Sequence, residues 1–176
     1  LVSLLESGAK STIPFEIIVV DDGSRDSCWP FLMQANRNRD ISSVVINSGP
    51  NLGVGVGINR GFNMGRGKWL AKLDADLIYR PGWLEAGVQL LESFPQVAVA
   101  GWFDYRNYSP TDARFNKLAQ LVKDGKTIGF EVDDFVSSGF LIRREDFLKH
   151  GIVYNTDAGH DLWRGFPEGS AAFAED

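Results

Sequence analysis

The sequence predicts an α/β fold built on a mostly parallel sheet. Three observations predict it. Short apolar runs alternate along the chain with stretches of helical spacing, the rhythm of βαβ units in a layered domain. The runs are continuously apolar rather than alternating, as in strands buried on both faces. Two of them, residues 15–20 and 68–73, end directly in acids, Asp21-Asp22 and Asp74-Ala75-Asp76. The carboxyl ends of its strands are where an open α/β sheet presents its ligand crevice.

The elements follow in order. Residues 1–8 have the spacing of an amphipathic helix that stops at Gly8. Residues 15–20 form the first strand. Trp29, Leu32 and Met33 have helical spacing behind the capping candidates Ser24, Asp26 and Ser27, and Pro30 fits only a first turn. Asp26 therefore reads as a helix cap. Residues 43–46 are a second strand. The run from Gly53 to Gly67 predicts a close-packed helix whose glycines let backbone approach a neighbour or ligand. Residues 68–73 are the third strand. Arg80-Pro81-Gly82 opens a helix with Leu84, Val88 and Leu91 as its apolar stripe, and Pro95 enforces the stop.

Residues 97–100 are a fourth strand. Periodicity weakens over 104–134, which predicts a loop-rich excursion around one short helix at 115–122. Residues 135–142 are a further strand, followed by a short helix to Lys149. The remainder, with Gly159, Gly165, Pro167 and Gly169, reads as a mobile loop. The chain opens within a helix and stops without a closing strand. Residues 1–176 are accordingly expected to be a single domain truncated at both ends, lacking a first strand and a C-terminal part.

A chain of 176 residues with 44% apolar content supports one sizeable core. A net charge of −5, with Lys and Arg scattered, argues against nucleic-acid binding and against a polybasic membrane patch. The single cysteine, Cys28, excludes an internal disulfide framework and fits a reducing compartment. Beside Trp29 it reads as a small buried hydrophobe rather than a nucleophile. No apolar stretch approaches the length of a membrane span, and there is no signal peptide, so the chain reads as soluble.

Two phosphate-binding motifs fail on register. A dinucleotide fingerprint starting at Gly55 needs glycine where Arg60 stands, and one starting at Gly53 needs it at Ile58. A P-loop fails because Gly61 is one residue too early for Gly67-Lys68 and Trp69 replaces the hydroxyl residue. Asp74 and Asp76 would repel each other unless a cation lay between them. Oxygen-ligated Mg2+ or Mn2+ is the usual occupant. A dehalogenase-type phosphatase also carries Asp-x-Asp after a strand, but Leu77-Ile78-Tyr79 lacks the Thr expected there.

In chain order the sequence has Ile18-Val-Val-Asp21-Asp22-Gly23-Ser24-x-Asp26, Asn51-x-Gly53, Asn59-Arg60-Gly61, Gly67-Lys-Trp-Leu-Ala-Lys-Leu-Asp74-Ala75-Asp76, Gly139-Phe-Leu-Ile-Arg143-Arg144 and Glu175-Asp176. This set resembles family 2 glycosyltransferases over nearly the whole chain. The resemblance implies a GT-A type three-layer α/β/α fold. It also implies transfer of a sugar from a nucleotide-diphosphate donor, a UDP-sugar, to a hydroxyl acceptor, by metal-assisted in-line displacement with inversion. Asp21 or Asp22 would bind the base, Gly23 and Ser24 would shape that turn, and Asn59 and Arg60 would lie near the nucleotide. Asp74 would touch ribose or metal, Ala75 would lie against the donor, and Asp76 would ligate Mn2+ or Mg2+. Asp176 would be the general base, with Asp161 and Glu168 as fallbacks, and Trp163 and Phe166 could stack on a sugar. His160 reads as a loop histidine and His150 as a helix C-terminal cap. The acceptor implied is a glycan, a lipid-linked species or a protein, in polysaccharide biosynthesis. The location implied is cytoplasmic, with room for peripheral association at the inner face of the membrane.

The sequence departs from the family in lacking the usual first strand and in placing Lys72 where an apolar residue is favoured. Three roles stay open for Lys72: snorkelling to an edge, pairing with a carboxylate, or reaching the diphosphate. The competing function is a non-catalytic module of the same fold that binds a nucleotide or glycan. A nucleotidyltransferase would show a glycine- and arginine-rich opening loop that this chain lacks.

Overall fold

The computed structural model describes residues 2–26, 28–47, 49–102, 120–132, 139–150 and 170–173. These residues fall into two compact units, taken here in turn.

One unit comprises residues 14–67 and 150–165. Its described elements are β1 (Ile18–Asp21), α2 (Cys28–Arg37), β2 (Ser43–Ile46) and α3 (Val54–Met64), numbered after the helix α1 (Val2–Gly8) of the other unit. β1 and β2 pair in parallel, Ile18 opposite Ser43 and Asp21 opposite Ile46. Parallel partners need a crossover, and α2 supplies it. α2 buries Leu32 and Ala35. Asp26 Oδ1 accepts the Cys28 N–H at 3.2 Å, the capping role expected of it. Cys28 itself is half-buried rather than buried, because it opens a first turn whose neighbour Trp29 also faces solvent. The hydrogen bond with Asp26, followed by desolvation, raises its thiol, so it stays protonated and the non-nucleophilic reading holds. α3 lies on β1 through its glycines. A Cβ at Gly57 would stand 3.8 Å from Val20 Cγ1, and one at Gly61 3.4 Å from Val20 Cγ2.

The other unit comprises residues 1–13, 68–149 and 166–176. It holds α1, β3 (Trp69–Leu73), α4 (Trp83–Ser93), β4 (Val99–Trp102), β5 (Gln120–Lys123), β6 (Lys126–Val132), β7 (Gly139–Arg143), α5 (Arg144–His150) and β8 (Ser170–Phe173). The sheet order is β3-β7-β4-β8-β6-β5. The parallel pairing expected from the sequence recurs between β4 and β8. β7 enters antiparallel between β3 and β4, and β6 runs antiparallel to β8 and β5, so this sheet is mixed. Phe140, Leu141 and Ile142 of β7 are all fully buried, which requires cover on both faces. α4 buries Leu84, Val88, Leu90 and Leu91, completing the stripe seen in the sequence.

Two expectations are corrected here. Residues 120–122, placed in a helix by the sequence reading, belong to β5 of a β5–β6 hairpin. Its turn, Asp124-Gly125, has positive φ at both residues, 52° and 76°, as a two-residue turn matched to strand twist requires. Residues 170–173, read as loop at an end without a closing strand, form β8 between β4 and β6.

Arg143 ties this unit together. Its guanidinium donates to the carbonyls of Val97 at 2.6 Å, Phe94 at 3.3 Å and Leu91, and it pairs with Asp146 at 3.4 Å. The last carbonyls of a helix lack intrahelical donors and carry partial negative charge. A cation from the adjacent strand satisfies both needs. Arg143 was quoted above only as part of a motif. Its work here is structural.

Candidate functional site

The site residues named from the sequence fall at two strand ends, one in each unit.

At the end of β1 the chain turns through Asp21-Asp22-Gly23-Ser24. Asp21 Oδ1 accepts the Ser24 N–H at 2.9 Å, closing an Asx turn. Gly23 sits at φ 84°, and a Cβ there would lie 2.9 Å from the carbonyl oxygen of Gly49. Conformation and space both demand glycine. Asp22 is the hub. Its Oδ1 accepts Asn47 Nδ2 at 2.8 Å, its Oδ2 accepts the N–H groups of Leu52 and Gly53 at 2.8 Å each, and its carbonyl accepts Asn51 Nδ2 at 3.0 Å. Burial pushes this carboxyl upward, but those hydrogen bonds, with the charge of Arg60, outweigh burial and hold it below the usual carboxylate range. Asp22 thus ties Asn47, Asn51, Leu52 and Gly53, the residue before α3, to the end of β1. Asn47 was missed by the sequence reading, and the asparagine one residue past an apolar strand was its only signal.

Asn59 and Arg60 lie on α3 and, with Val45, Val56, Asn63 and Met64, line an open groove of about 470 Å3. The structure therefore brings Asp21, Asp22, Gly23, Ser24, Asn59 and Arg60 into one unit, where Arg60 is near enough to act on Asp22 electrostatically.

At the end of β3 stand Asp74, Ala75 and Asp76. Ala75 and Asp76 are exposed and Asp74 is half-buried. Lys72 Nζ lies 2.5 Å from Asp74 Oδ1, with its side chain only 9% exposed against 36% for Asp74. Of the roles left open for Lys72, carboxylate pairing is the one found. The Tyr79 hydroxyl donates to the Asp74 carbonyl at 3.0 Å, fixing the path of the turn. Burial, with the neighbouring charges of Asp74 and Asp76, pushes that phenol well up, so it remains a donor. Among the described residues no group of three or more His, Cys, Asp or Glu gathers as a metal cage. Two hard carboxylates on an open turn nonetheless suit Mg2+ or Mn2+, which keep several waters and take substrate phosphates as further ligands.

Glu175 and Asp176, the expected general base, lie outside the described residues, as do His160, Asp161, Trp163, Phe166 and Glu168. His150 ends α5, and its side chain is outside that set. No helix among the described residues is long and apolar enough to cross a membrane.

The profile of the family described as Glycosyl transferase family 2 matches residues 1–151. The chain belongs to this family. Glycosyltransferase GlyG of Streptococcus pneumoniae serotype 4 is 32% identical over 120 residues, 65% of this chain and 38% of GlyG. S. aureus TarS 1-349 superposes on the family 2 chain with a TM-score of 0.65 at 16% identity, covering 98% of this chain and 56% of that one. The mannosyltransferase PcManGT of Pyrobaculum calidifontis, solved with GDP-Man and Mn2+, gives 0.64 at 18% identity, covering 96% and 51%. These two likenesses establish the GT-A fold. The chain spans well under two thirds of each of these three proteins.

Proposed function

We propose that residues 1–176 form one GT-A domain that transfers a sugar from a UDP-sugar to a hydroxyl of a glycan, lipid-linked or protein acceptor. The observation that carries this reading is the acid pair Asp74 and Asp76 at the carboxyl end of β3, in a chain whose family match spans residues 1–151.

Asp21 is the better candidate for the base-reading carboxylate. Both oxygens of Asp22 are committed to Asn47, Leu52 and Gly53, whereas Asp21 commits one oxygen to Ser24. A carboxylate accepts from the N–H of a uracil ring. Gly23 and Ser24 set the turn on which it stands, and Arg60 and Asn59 lie along the neighbouring helix. Asp76, with Asp74, would hold Mn2+ or Mg2+, which when bound neutralises charge growing on the leaving diphosphate. The acceptor oxygen forms its bond to the anomeric carbon as the bond to the diphosphate oxygen breaks with its electron pair. The hydroxyl proton passes to a carboxylate, for which Asp176 is the candidate, and a single displacement inverts the anomeric centre. A positioned base of this kind contributes about 10²–10⁴-fold. The expected setting is the cytoplasm, with peripheral association at the inner face of the membrane where the acceptor is lipid-linked.

The test is a panel of UDP- and GDP-sugars with the full-length protein, with and without Mn2+ or Mg2+. Metal-dependent turnover of a UDP-sugar, lost in Asp76→Asn, is expected. Turnover of GDP-sugars alone would correct the base, while nucleotide binding without transfer or hydrolysis would leave the non-catalytic module as the function.

A further inference from the structure

Residues 74–80, which begin with the acid pair, belong to no helix or strand. Ordering such a stretch costs conformational entropy, which contacts made by other groups must offset. Here those contacts come from hydroxyls. Tyr79 Oη donates to the Asp74 carbonyl at 3.0 Å, reaching back across the acid pair. Ser3 Oγ of α1 accepts the Tyr79 N–H at 3.4 Å and donates to the Leu77 carbonyl at 3.5 Å. Ser7 Oγ, one turn further along α1, donates to the Arg80 carbonyl at 3.0 Å, and Ser7 is 2% exposed. The Tyr79 ring is buried and stands 5.6 Å from the ring of Trp83, the first residue of α4. All of these residues lie in one unit. The turn bearing Asp74 and Asp76 is closed on itself by Tyr79 and fastened to α1 by two serines.

Resting on the metal reading above, we propose that Tyr79 and Ser7 are positioning residues, whose hydroxyls hold the backbone of the Asp74–Asp76 turn in the arrangement that receives a divalent cation. Neither hydroxyl is a ligand in this account. Both bonds are made to carbonyl oxygens, so they use no carboxylate lone pair of Asp74 or Asp76. Mg2+ demands near-ideal octahedral geometry, and two carboxylates serve such an ion only when the backbone presents them together. A turn fixed by its own bonds loses less binding energy to ordering when the ion arrives. The proposed base reader, Asp21, lies in the other unit. Loss of these hydroxyls should therefore weaken the metal and spare metal-free nucleotide binding.

The experiment titrates the full-length protein with Mn2+ at saturating UDP or GDP, following free Mn2+ by electron paramagnetic resonance. Tyr79→Phe keeps the ring against Trp83 and removes the hydroxyl. It should bind Mn2+ roughly three- to tenfold more weakly than wild type, the worth of one hydrogen bond. Nucleotide affinity without metal should stay within about twofold. Transfer should show a raised KM for Mn2+ with kcat recovered at saturating metal. Ser7→Ala should move Mn2+ affinity in the same direction, and it decides the matter if Tyr79→Phe melts too low to titrate. Glu16→Gln is the control: it loosens the ion pair with Arg66 in the other unit and should lower the melting temperature with Mn2+ affinity unchanged. Wild-type Mn2+ affinity in both hydroxyl variants overturns the proposal. So does an equal loss of affinity in Glu16→Gln, which would make the effect one of stability alone. Absence of Mn2+ binding by wild type, or binding untouched by Asp76→Asn, overturns the metal reading itself and this inference with it.

Discussion

The carboxylate of Asp22 accepts the backbone N–H of Gly53 at 2.8 Å, so the end of β1 closes the start of α3. The two residues are 31 apart in sequence. A short acid at a strand end thereby fixes the two residues that lead into α3, Leu52 and Gly53, from a distance in sequence. It ties Asn47, Leu52 and Gly53 to the end of β1 with both of its oxygens, whereas Asp21 next to it commits one oxygen, to Ser24.

Asp22→Ala should therefore be mainly a stability variant. Losing an anionic acceptor for the adjacent N–H groups of Leu52 and Gly53 costs about 1–3 kcal/mol. Urea unfolding should report it as a lower midpoint with an unchanged slope.

On the proposed function, Asp21→Asn should be mainly a binding variant. Its backbone turn can be kept by the remaining carbonyl oxygen, while a charged acceptor toward the base is lost. Such a hydrogen bond is worth about 1.5–3 kcal/mol, so affinity for the uridine nucleotide should fall tenfold or more in calorimetry, with little change in melting temperature.

Gly23→Ala should cost about 2–3 kcal/mol, since strain at φ 84° adds to a 2.9 Å approach to the Gly49 oxygen. Gly82→Ala is the comparison. It too has a positive φ, 92°, but nothing within 4 Å of its added Cβ, so it should cost the strain alone, about 1 kcal/mol. Paired thermal melts separate the two.

Acid sensitivity follows from lowered carboxyls. Asp22, and Glu16 through its hydrogen bond and ion pair with Arg66, titrate below their ordinary values in the folded chain. Their stabilisation is fully present above the unfolded values near ~4 and is lost as pH falls through the lower folded values. Unfolding midpoints measured from pH 7 down to pH 3 should decline at the acid end. That decline should be shallower in Asp22→Asn. An identical slope would remove Asp22 from this account.

Arg143→Met should destabilise the unit built on β7 by about 2–3 kcal/mol, because the carbonyls of Leu91, Phe94 and Val97 lose a charged donor in a half-buried site. Lysine should rescue only in part, since a point charge cannot reproduce the guanidinium fork. Chemical denaturation of both variants checks the order.

Much of this architecture could be read from residue order. The apolar runs at 15–20, 43–46 and 68–73, the glycines that bring α3 to Val20, and the stripe of Leu84, Val88 and Leu91 each obey local periodicity. The β5–β6 hairpin was also signalled, by Asp124-Gly125 between strand-forming residues. Helical spacing over 115–122 competes with that signal in the sequence, and pairing with β6 decides in favour of the strand for residues 120–122. β8 carried no comparable signal: Ser-Ala-Ala-Phe becomes a strand only because β4 and β6 offer edges on either side.

What the sequence by itself determined was the family, the strand ends that carry acids, and the identity of the candidate metal and nucleotide carboxylates. Those are properties of order and spacing, which survive without coordinates. Which carboxylates are already engaged was decided only in three dimensions. Asp22 is held by donors 25 to 31 residues away, and Asp74 by a lysine whose burial depends on the strand packed beside it. A carboxylate looks the same in any sequence. Its lone pairs are assigned by whatever the fold brings within 3 Å.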